Sequence, residues 1–220
     1  MIELVNLTKA FRTPRGLKYV ANDISMRFPT GRSVALLGAN GTGKSTLLKM
    51  IAGTADPDSG KVRSDGSISW PVGFSGSFHR DLTGAQNIRF IARLYGVDTQ
   101  ALLDFVEAFA DLGGHFHMPL RSYSSGMKSR LAFGVSMGIP FDTYLVDEVT
   151  SVGDAAFRRR SEKLFRRRMR KASAIVVSHS PKQIRALCNA GAVLVDGRLI
   201  YFDKVKAALR FHKSHMQSMT

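Results

Sequence analysis

The sequence predicts an α/β protein with a mostly parallel β-sheet core, and three observations support that prediction. Continuously apolar stretches such as residues 33–38 (SVALLG) and 143–147 (TYLVD) are typical of strands buried on both faces of a parallel sheet. Segments with helical spacing of apolar residues separate these strands. A long helical block at about residues 82–140 interrupts the alternation, and we interpret it as a subdomain inserted into one domain spanning residues 1–220.

The first predicted strands and the first predicted helix flank a glycine-rich turn. Residues 24–28 (ISMRF) alternate apolar and polar side chains as a strand does, and residues 33–38 form the next strand. Residues 44–53 space their apolar side chains as an amphipathic helix does, with Gly53 as its C-terminal cap. Residues 54–67 are rich in glycine, aspartate and serine, so we expect a loop there.

The rest of the chain begins with predicted helices and then returns to strands that alternate with helices. Helices are predicted within residues 82–96 and 101–112, and a third helix begins near Ser125. The later predicted elements are a strand at 143–147, a basic helix, a strand at 174–178, a helix at 181–188 and a hairpin with an Asp-Gly turn at 193–201.

Composition places the chain among ordinary globular proteins. It has 220 residues, of which 44% are hydrophobic and 22% charged. No apolar run approaches the ~18–20 residues of a membrane span, and we expect no secretory leader at the N-terminus. Cys188 is the single cysteine, which excludes an internal disulfide and favours a reducing cytoplasmic environment.

The net charge of +15 indicates an anionic neighbour, such as nucleic acid or anionic lipid. The densest basic run, residues 158–171 (RRRSEKLFRRRMRK), has nine basic residues and one acidic residue. On a helix, Leu164, Phe165 and Met169 could share a buried face while the arginines point outward. A solvated surface and a binding surface both fit this pattern.

Residues 38–46 (GANGTGKST) match the phosphate-loop pattern G-x-x-x-x-G-K-[ST] between an apolar strand and an amphipathic helix. Glycines let backbone N–H groups curl round a phosphate, and the helix N-terminus adds positive potential. Lys44 is expected to reach the outer phosphates of ATP, and Ser45 to coordinate Mg²⁺. A chance glycine-rich turn is the alternative, which the full match disfavours. The candidate ATP-binding residues of this loop are Gly38, Ala39, Asn40, Gly41, Thr42, Gly43, Lys44, Ser45 and Thr46.

Three ionisable residues lie at the carboxyl ends of predicted strands, where open α/β sheets bind their ligands. Asp147 is expected to hold Mg²⁺, and Glu148 to polarise a water for attack on the γ-phosphate. His179 ends another strand, where it could contact the γ-phosphate or orient Glu148 and the water. Glu148 and His179 are therefore the candidate catalytic residues.

Residues 123–127 (YSSGM) place two serines and a glycine just before the third helix. A serine there could cap the helix, and a small, uncharged helix N-terminus could also bind an anion. The residues alone leave both possibilities open.

The chain resembles the nucleotide-binding subunit of an ATP-binding-cassette (ABC) transporter over nearly its whole length. The segments that carry the resemblance, in the order of that family, are the phosphate loop, YSSGM, LVDE, VGD and the strand-end histidine. The resemblance implies a P-loop NTPase fold with an N-terminal antiparallel β part. It implies an ATP-dependent, head-to-tail homodimer in which Ser124, Ser125 and Gly126 contact the partner's ATP. Asp154 matches the loop that crosses to the partner. Phe11 matches an aromatic residue that stacks on adenine, its alternative being a core phenylalanine.

Segments 73–84 (GFSGSFHRDLTG), 123–133 and 147–161 further resemble exporters of bacterial surface polysaccharides, above all capsule exporters. Ser125 and Met127 stand where the wider family more often has glycine and glutamine, and the usual glutamine of the loop facing the membrane subunit is absent. About twenty residues follow the hairpin, which favours capsule-type exporters over relatives with a C-terminal sugar-binding domain. The implied partners are an integral membrane permease and the polysaccharide export machinery of the envelope, at the cytoplasmic face of the bacterial inner membrane.

Three alternatives stay open. The chain could serve a transporter of O-antigen, teichoic acid or a smaller solute. It could be a nucleic-acid- or ribosome-associated cassette ATPase, which the charge favours but the single phosphate loop does not; we expect no nucleic-acid partner. A regulator without ATP turnover is disfavoured by Glu148 and His179.

Overall fold

The computed structural model describes residues 1–14, 16–73, 76, 78–147 and 154–218. The chain divides into two compact units. The first comprises Met1–Pro71, Phe141–Glu148 and Met169–Thr220, and the second comprises Val72–Pro140 and Val149–Arg168. The strands of the first unit are β1 Ile2–Thr13, β2 Gly16–Phe28, β3 Ser33–Leu37, β4 Ser59–Ser64, β5 Ile68–Pro71, β6 Thr143–Asp147, β7 Ser173–Val177, β8 Ala190–Val195 and β9 Arg198–Phe202.

A six-stranded sheet in the order β5-β6-β7-β3-β8-β9 forms the centre of the first unit. Its strands pair in parallel, except that β8 and β9 form an antiparallel hairpin. All five residues of β3 and of β7 are buried, as their apolar sequences predict. The hairpin turns at Asp196 and Gly197, both with positive φ, which confirms the predicted Asp-Gly turn.

A second, antiparallel sheet in the order β2-β1-β4 confirms the antiparallel N-terminal part. The prediction of a loop over residues 54–67 was wrong, because β4 lies within it. Val62 is the one apolar residue of β4, and it is opposite Leu4 of β1. Backbone hydrogen bonds to β1 therefore stabilise this strand. Its sequence lacks the alternation of apolar and polar side chains that would predict a strand.

Three helices belong to the first unit: α1 Lys44–Ile51, α6 Pro181–Leu187 and α7 Val205–Ser218. In α1, Leu47, Leu48 and Ile51 are buried, as predicted. Its C-terminal cap is Ala52 and not Gly53, which follows with a φ of +69° because the chain turns there. The sequence prediction did not include α7, which packs on β8 and β3.

The second unit is helical, with α2 Gly84–Leu94, α3 Thr99–Ala110, α4 Ser125–Gly138 and most of α5 Ala155–Met169. Two short 3-10 helices, Gly113–His117 and Leu120–Ser122, precede α4. Thr83 and Gln86 form a reciprocal capping box at the start of α2. Leu164 and Phe165 of α5 are buried as predicted, whereas Met169 is partly exposed and Phe157 is buried in addition. No helix in the described parts of the chain is long and apolar enough to cross a membrane.

Asp142 joins the starts of β5 and β6. One oxygen of its carboxylate accepts hydrogen bonds from the Ser67 hydroxyl and the Ser67 backbone N–H, each at 2.8 Å. The Ser67 hydroxyl in turn accepts from the Asp142 backbone N–H at 3.0 Å. These bonds from Ser67 lower the pKa of the Asp142 carboxyl below its ordinary value.

We expect Asp142→Asn to reduce the acid sensitivity of folding. A carboxyl with a lowered folded-state pKa stabilises the fold above its unfolded pKa and loses that contribution as pH falls through the folded pKa, below about pH 4. Denaturant titrations from about pH 3 to pH 7 should therefore show a shallower acid loss for the variant. Asp56→Asn is the control, since the described residues provide no hydrogen bond to the exposed Asp56 side chain. Equal acid slopes in Asp142→Asn and the parent chain would contradict this role.

Candidate nucleotide-binding site

The carboxyl ends of three neighbouring parallel strands bring the predicted site residues to one edge of the sheet. β7 lies between β6 and β3 in the sheet order. Asp147 at the end of β6 is paired with Val177 at the end of β7, and His179 follows two residues later. The predicted phosphate loop leaves β3 after Leu37. Asp147, His179 and the loop therefore lie at the same edge of the first unit, where ligands of open α/β sheets bind.

Close backbone approach requires glycine at both ends of the phosphate loop. A Cβ at Gly38 would lie 2.7 Å from the carbonyl oxygen of Leu194 in β8. At Gly43, which has a φ of +105°, a Cβ would lie 1.4 Å from Cγ1 of Val20 in β2. The two sheets of the first unit thus hold the loop closely at its two ends, and α1 begins directly after Gly43.

Two lysine ammonium groups contact the phosphate loop. Lys44 Nζ donates to the carbonyl oxygens of Gly38 and Ala39, each at 2.8 Å. Lys18 Nζ, from β2, donates to the carbonyl oxygen of Gly41 at 2.8 Å. Together with the N-terminus of α1, these cations make the loop a positive environment suited to phosphate. Sequence reasoning missed Lys18, because nothing in the pattern of β2 distinguishes one exposed cation of the strand from another.

Helix α7 also comes close to the loop, through His212. Partial burial lowers the pKa of His212, and the nearby charges of Lys44 and His215 lower it further. The sequence gives no signal for this proximity, because His212 lies 168 positions after Lys44 and only tertiary packing brings them together.

Ser45 and Asp147 are the residues that could hold a metal ion. Ser45 is exposed in the first turn of α1, and Asp147 is partly buried at the end of β6. A hydroxyl and one carboxylate are oxygen donors of the kind that Mg²⁺ uses together with substrate phosphates. Within the described residues no group of three or more histidine, cysteine or carboxylate side chains could hold a metal, so any cation here would need oxygens from the nucleotide and water as well.

Phe11 is 46% exposed near the end of β1, which excludes the alternative of a core phenylalanine. Its Cα is paired with that of Lys18, whose ammonium contacts the loop. Lys9 Nζ lies 5.7 Å from the centre of the Phe11 ring. The structure thus places an exposed aromatic ring opposite Lys18, the residue of β2 whose ammonium group contacts the phosphate loop.

Ser124, Ser125 and Gly126 lie in the second unit, at the exposed start of α4. Ser124 caps the helix, its hydroxyl accepting from the Met127 N–H at 3.2 Å. Nothing crowds Gly126: a Cβ there would meet only Ser124 Oγ, at 3.8 Å. The helix start borders a cavity of about 310 Å³, so the capping role and an open, anion-accessible helix N-terminus coexist.

Asp154 caps α5 within the second unit. Its carboxylate accepts from the N–H groups of Ala156 and Phe157 at 2.9 and 2.8 Å, and these bonds lower the pKa of Asp154. Its other oxygen accepts from Arg130 of α4 at 2.7 Å, and the Arg130 guanidinium lies 4.8 Å from the centre of the Phe157 ring. Asp154 therefore ties the start of α5 to α4. The predicted base Glu148 lies outside the described residues, as do Phe74 and Ser75, the residues near the position of the glutamine that is absent from the loop facing the membrane subunit.

Comparison with known proteins agrees with this geometry. The family model described as "ABC transporter" matches residues 21–151, more than half of the chain. The chain belongs to the ABC transporter family. This confirms the predicted family and identifies the chain as an ATP-binding subunit of that class.

Curated relatives match the chain over nearly its full length. It is 46% identical to the polysialic acid transport ATP-binding protein KpsT of Escherichia coli, covering 98% of this chain and 97% of that protein. It is 40% identical to the capsule polysaccharide export ATP-binding protein CtrD of Neisseria meningitidis serogroup B, covering 97% and 99%. A more distant relative, the O-antigen export system ATP-binding protein RfbB of Klebsiella pneumoniae, is 34% identical over 94% of this chain and 87% of that protein.

A solved structure confirms the predicted fold class. The ATP-binding cassette MJ0796, determined as a dimer in a post-hydrolysis state bound to ADP and Pi, superposes with a TM-score of 0.74. The alignment covers 93% of this chain and 99% of that one at 20% identity, so the likeness concerns the fold alone.

We expect Gly43→Ala to destabilise the protein far more than Gly53→Ala. Both glycines have positive φ, which costs another residue about 1 kcal/mol or more, but a Cβ at Gly53 meets nothing within 4 Å whereas one at Gly43 overlaps Val20. Thermal unfolding of the two variants therefore separates backbone strain from steric overlap. Similar melting temperatures for both variants would contradict the close approach of β2 to the loop.

Proposed function

We propose that this chain is the ATP-hydrolysing subunit of an ABC transporter that exports capsular polysaccharide across the bacterial inner membrane. The observation that carries the proposal is the near full-length similarity to polysialic acid and capsule export ATP-binding proteins. The O-antigen and teichoic acid export relatives are less similar, so these substrates are the alternatives within the family.

In the proposed mechanism, residues 38–46 enclose the ATP phosphates and the exposed ring of Phe11 stacks on the adenine. The Lys44 ammonium exchanges its two carbonyl acceptors, Gly38 and Ala39, for phosphate oxygens. Ser45 and Asp147 would hold Mg²⁺, which would supply positive charge next to the phosphates.

Two residues at the strand ends complete the proposed chemistry. Glu148, directly after β6, accepts a proton from the attacking water. His179, exposed after β7, orients that water or contacts the γ-phosphate. The pairing of β6 with β7 supports this assignment, because it places Asp147 and Val177 side by side.

The site becomes complete in an ATP-dependent, head-to-tail homodimer. Ser124, Ser125 and Gly126 of one protomer offer a small, uncharged and exposed helix start to the γ-phosphate held by the partner. The lack of crowding at Gly126 supports close approach by a ligand from another chain. Asp154, which caps the start of α5, is the residue that we assign to the contact with the partner.

The ATPase homodimer binds an integral membrane permease from the cytoplasmic face of the inner membrane, as a peripheral subunit working with the envelope's export machinery. A nucleic-acid-associated ATPase is the alternative from another class, and the charge of +15 is the observation that favours it. Duplex DNA binding that weakens steeply with salt but persists at physiological ionic strength would support that alternative.

We expect Glu148→Gln to keep ATP affinity, lower turnover by about two orders of magnitude or more, and trap a dimer under saturating Mg-ATP. Loss of the carboxylate removes the proton acceptor but leaves the phosphate contacts of the loop in place. Light scattering measures the dimer, and phosphate release measures turnover. Lys44→Ala is the control: it should neither bind ATP nor dimerise. A monomeric Glu148→Gln protein with bound ATP would contradict the composite site.

In the source cells, Glu148→Gln should remove polysaccharide from the surface and accumulate it inside. Staining of surface and cytoplasmic polymer measures both pools. If the purified variant has lost its ATPase activity but the cells still carry normal surface polymer, the assignment of polysaccharide as the substrate is wrong. The assignment of the chain as an ATPase would not be affected.

A further inference from the structure

A groove between α6 and α7 is lined by positively charged side chains that do not belong to the nucleotide site. The cavity has a volume of about 630 Å³. Lys206, Arg210 and Lys213 line it from α7, Arg185 lines it from α6, and the half-buried Leu209 is its apolar contact. None of these residues belongs to the phosphate loop or to the exposed start of α4.

The helical repeat explains how the cations converge. Lys206, Arg210 and Lys213 are spaced at i, i+4 and i+7, so they project from one face of α7. His212, which feels the charge of Lys44, lies on a different face of the same helix. The groove is therefore separated from the phosphate loop by the helix itself.

The four cations have no compensating partner in the part of the chain that the structure describes. Among these residues, the charged side chains of Arg185, Lys206, Arg210 and Lys213 form no ion pair and no hydrogen bond. Neither α6 (PKQIRAL) nor α7 (VKAALRFHKSHMQS) contains a carboxylate. Like charges at i,i+4 spacing, such as Lys206 and Arg210, repel each other and destabilise a helix unless an anion lies between them.

We infer that this groove, the α6–α7 groove, binds a phosphate-bearing anion other than the nucleotide of the phosphate loop. The volume is that of a small-molecule site, so the ligand must carry several negative charges in little space. Phosphate groups meet this condition because each has several acceptor oxygens and about one to two charges, and arginine binds them in bidentate fashion. The phosphate can belong to a soluble polyphosphate or to the headgroup of an anionic lipid.

The test compares two variants of equal charge in a Lys44→Ala background, which removes binding at the phosphate loop. Lys206→Gln/Lys213→Gln changes the groove. Lys182→Gln/Lys204→Gln removes two exposed lysines from the same region that do not line the groove. Thermal unfolding confirms that both variants fold. The probes are tripolyphosphate by calorimetry, and vesicles of phosphatidylcholine with and without phosphatidylglycerol by sedimentation, all at low salt.

We expect the groove variant to lose about tenfold or more in affinity while the control variant binds like the parent. Binding of tripolyphosphate alone would identify a soluble ligand, and binding of the phosphatidylglycerol vesicles alone would identify a lipid headgroup. Equal losses of affinity in both variants would show that binding depends on net charge alone, and would overturn the proposal of a site in the groove. Absence of binding to both probes, or preference for a poly-glutamate peptide over tripolyphosphate, would overturn the assignment to phosphate.

Discussion

The parallel pairing of β6, β7 and β3 is the constraint on which the nucleotide site depends. Because the side-chain period of a strand is two, a slip of one residue would turn Asp147 to the opposite face of the sheet. The observed register places Asp147 beside Val177, so that His179 emerges at the same edge. The side chains of β3 and β7 are buried on both faces, so a slip would have to repack them against the elements that cover the sheet. Core packing thus sets the geometry of residues that are themselves polar.

The phosphate loop depends on a second constraint, which is the close contact between its glycines and both sheets of the first unit. Val20 of the antiparallel sheet meets Gly43, and Leu194 of the parallel sheet meets Gly38. The loop is therefore held from two sides before any ligand binds, and its own cation, Lys44, donates to two of its carbonyl groups. Preorganisation of this kind lowers the entropic cost of enclosing a phosphate.

The sequence was most informative where local chemistry and tertiary structure agree. The bounds of β6 and the start of α4 at Ser125 follow from apolar runs and a serine cap, and the structure has both as predicted. β4 was missed because its partners are backbone groups of β1, and the contacts of Lys18 and His212 were missed because their neighbours are distant in sequence. No local pattern can encode a contact whose other half lies in another element. In the second unit, Asp154 caps α5 and forms an ion pair with Arg130. Sequence order alone does not reveal either contact.

The excess of positive charge is not one uniform surface. In α5, whose arginine run is the densest, several cations are used within the second unit: Arg160 pairs with Asp111 and Arg166 with Glu162, while Arg168 donates to the Met137 carbonyl oxygen. The contacts of Arg160 and Arg168 join α5 to its neighbours, and the Arg166–Glu162 pair is an i,i+4 pair within α5, so part of the run is structural. The cations of the α6–α7 groove have no such partners among the described residues. Since each of these cations adds one positive charge wherever it lies, only the distribution of partners separates a structural cation from one that is free to bind a ligand.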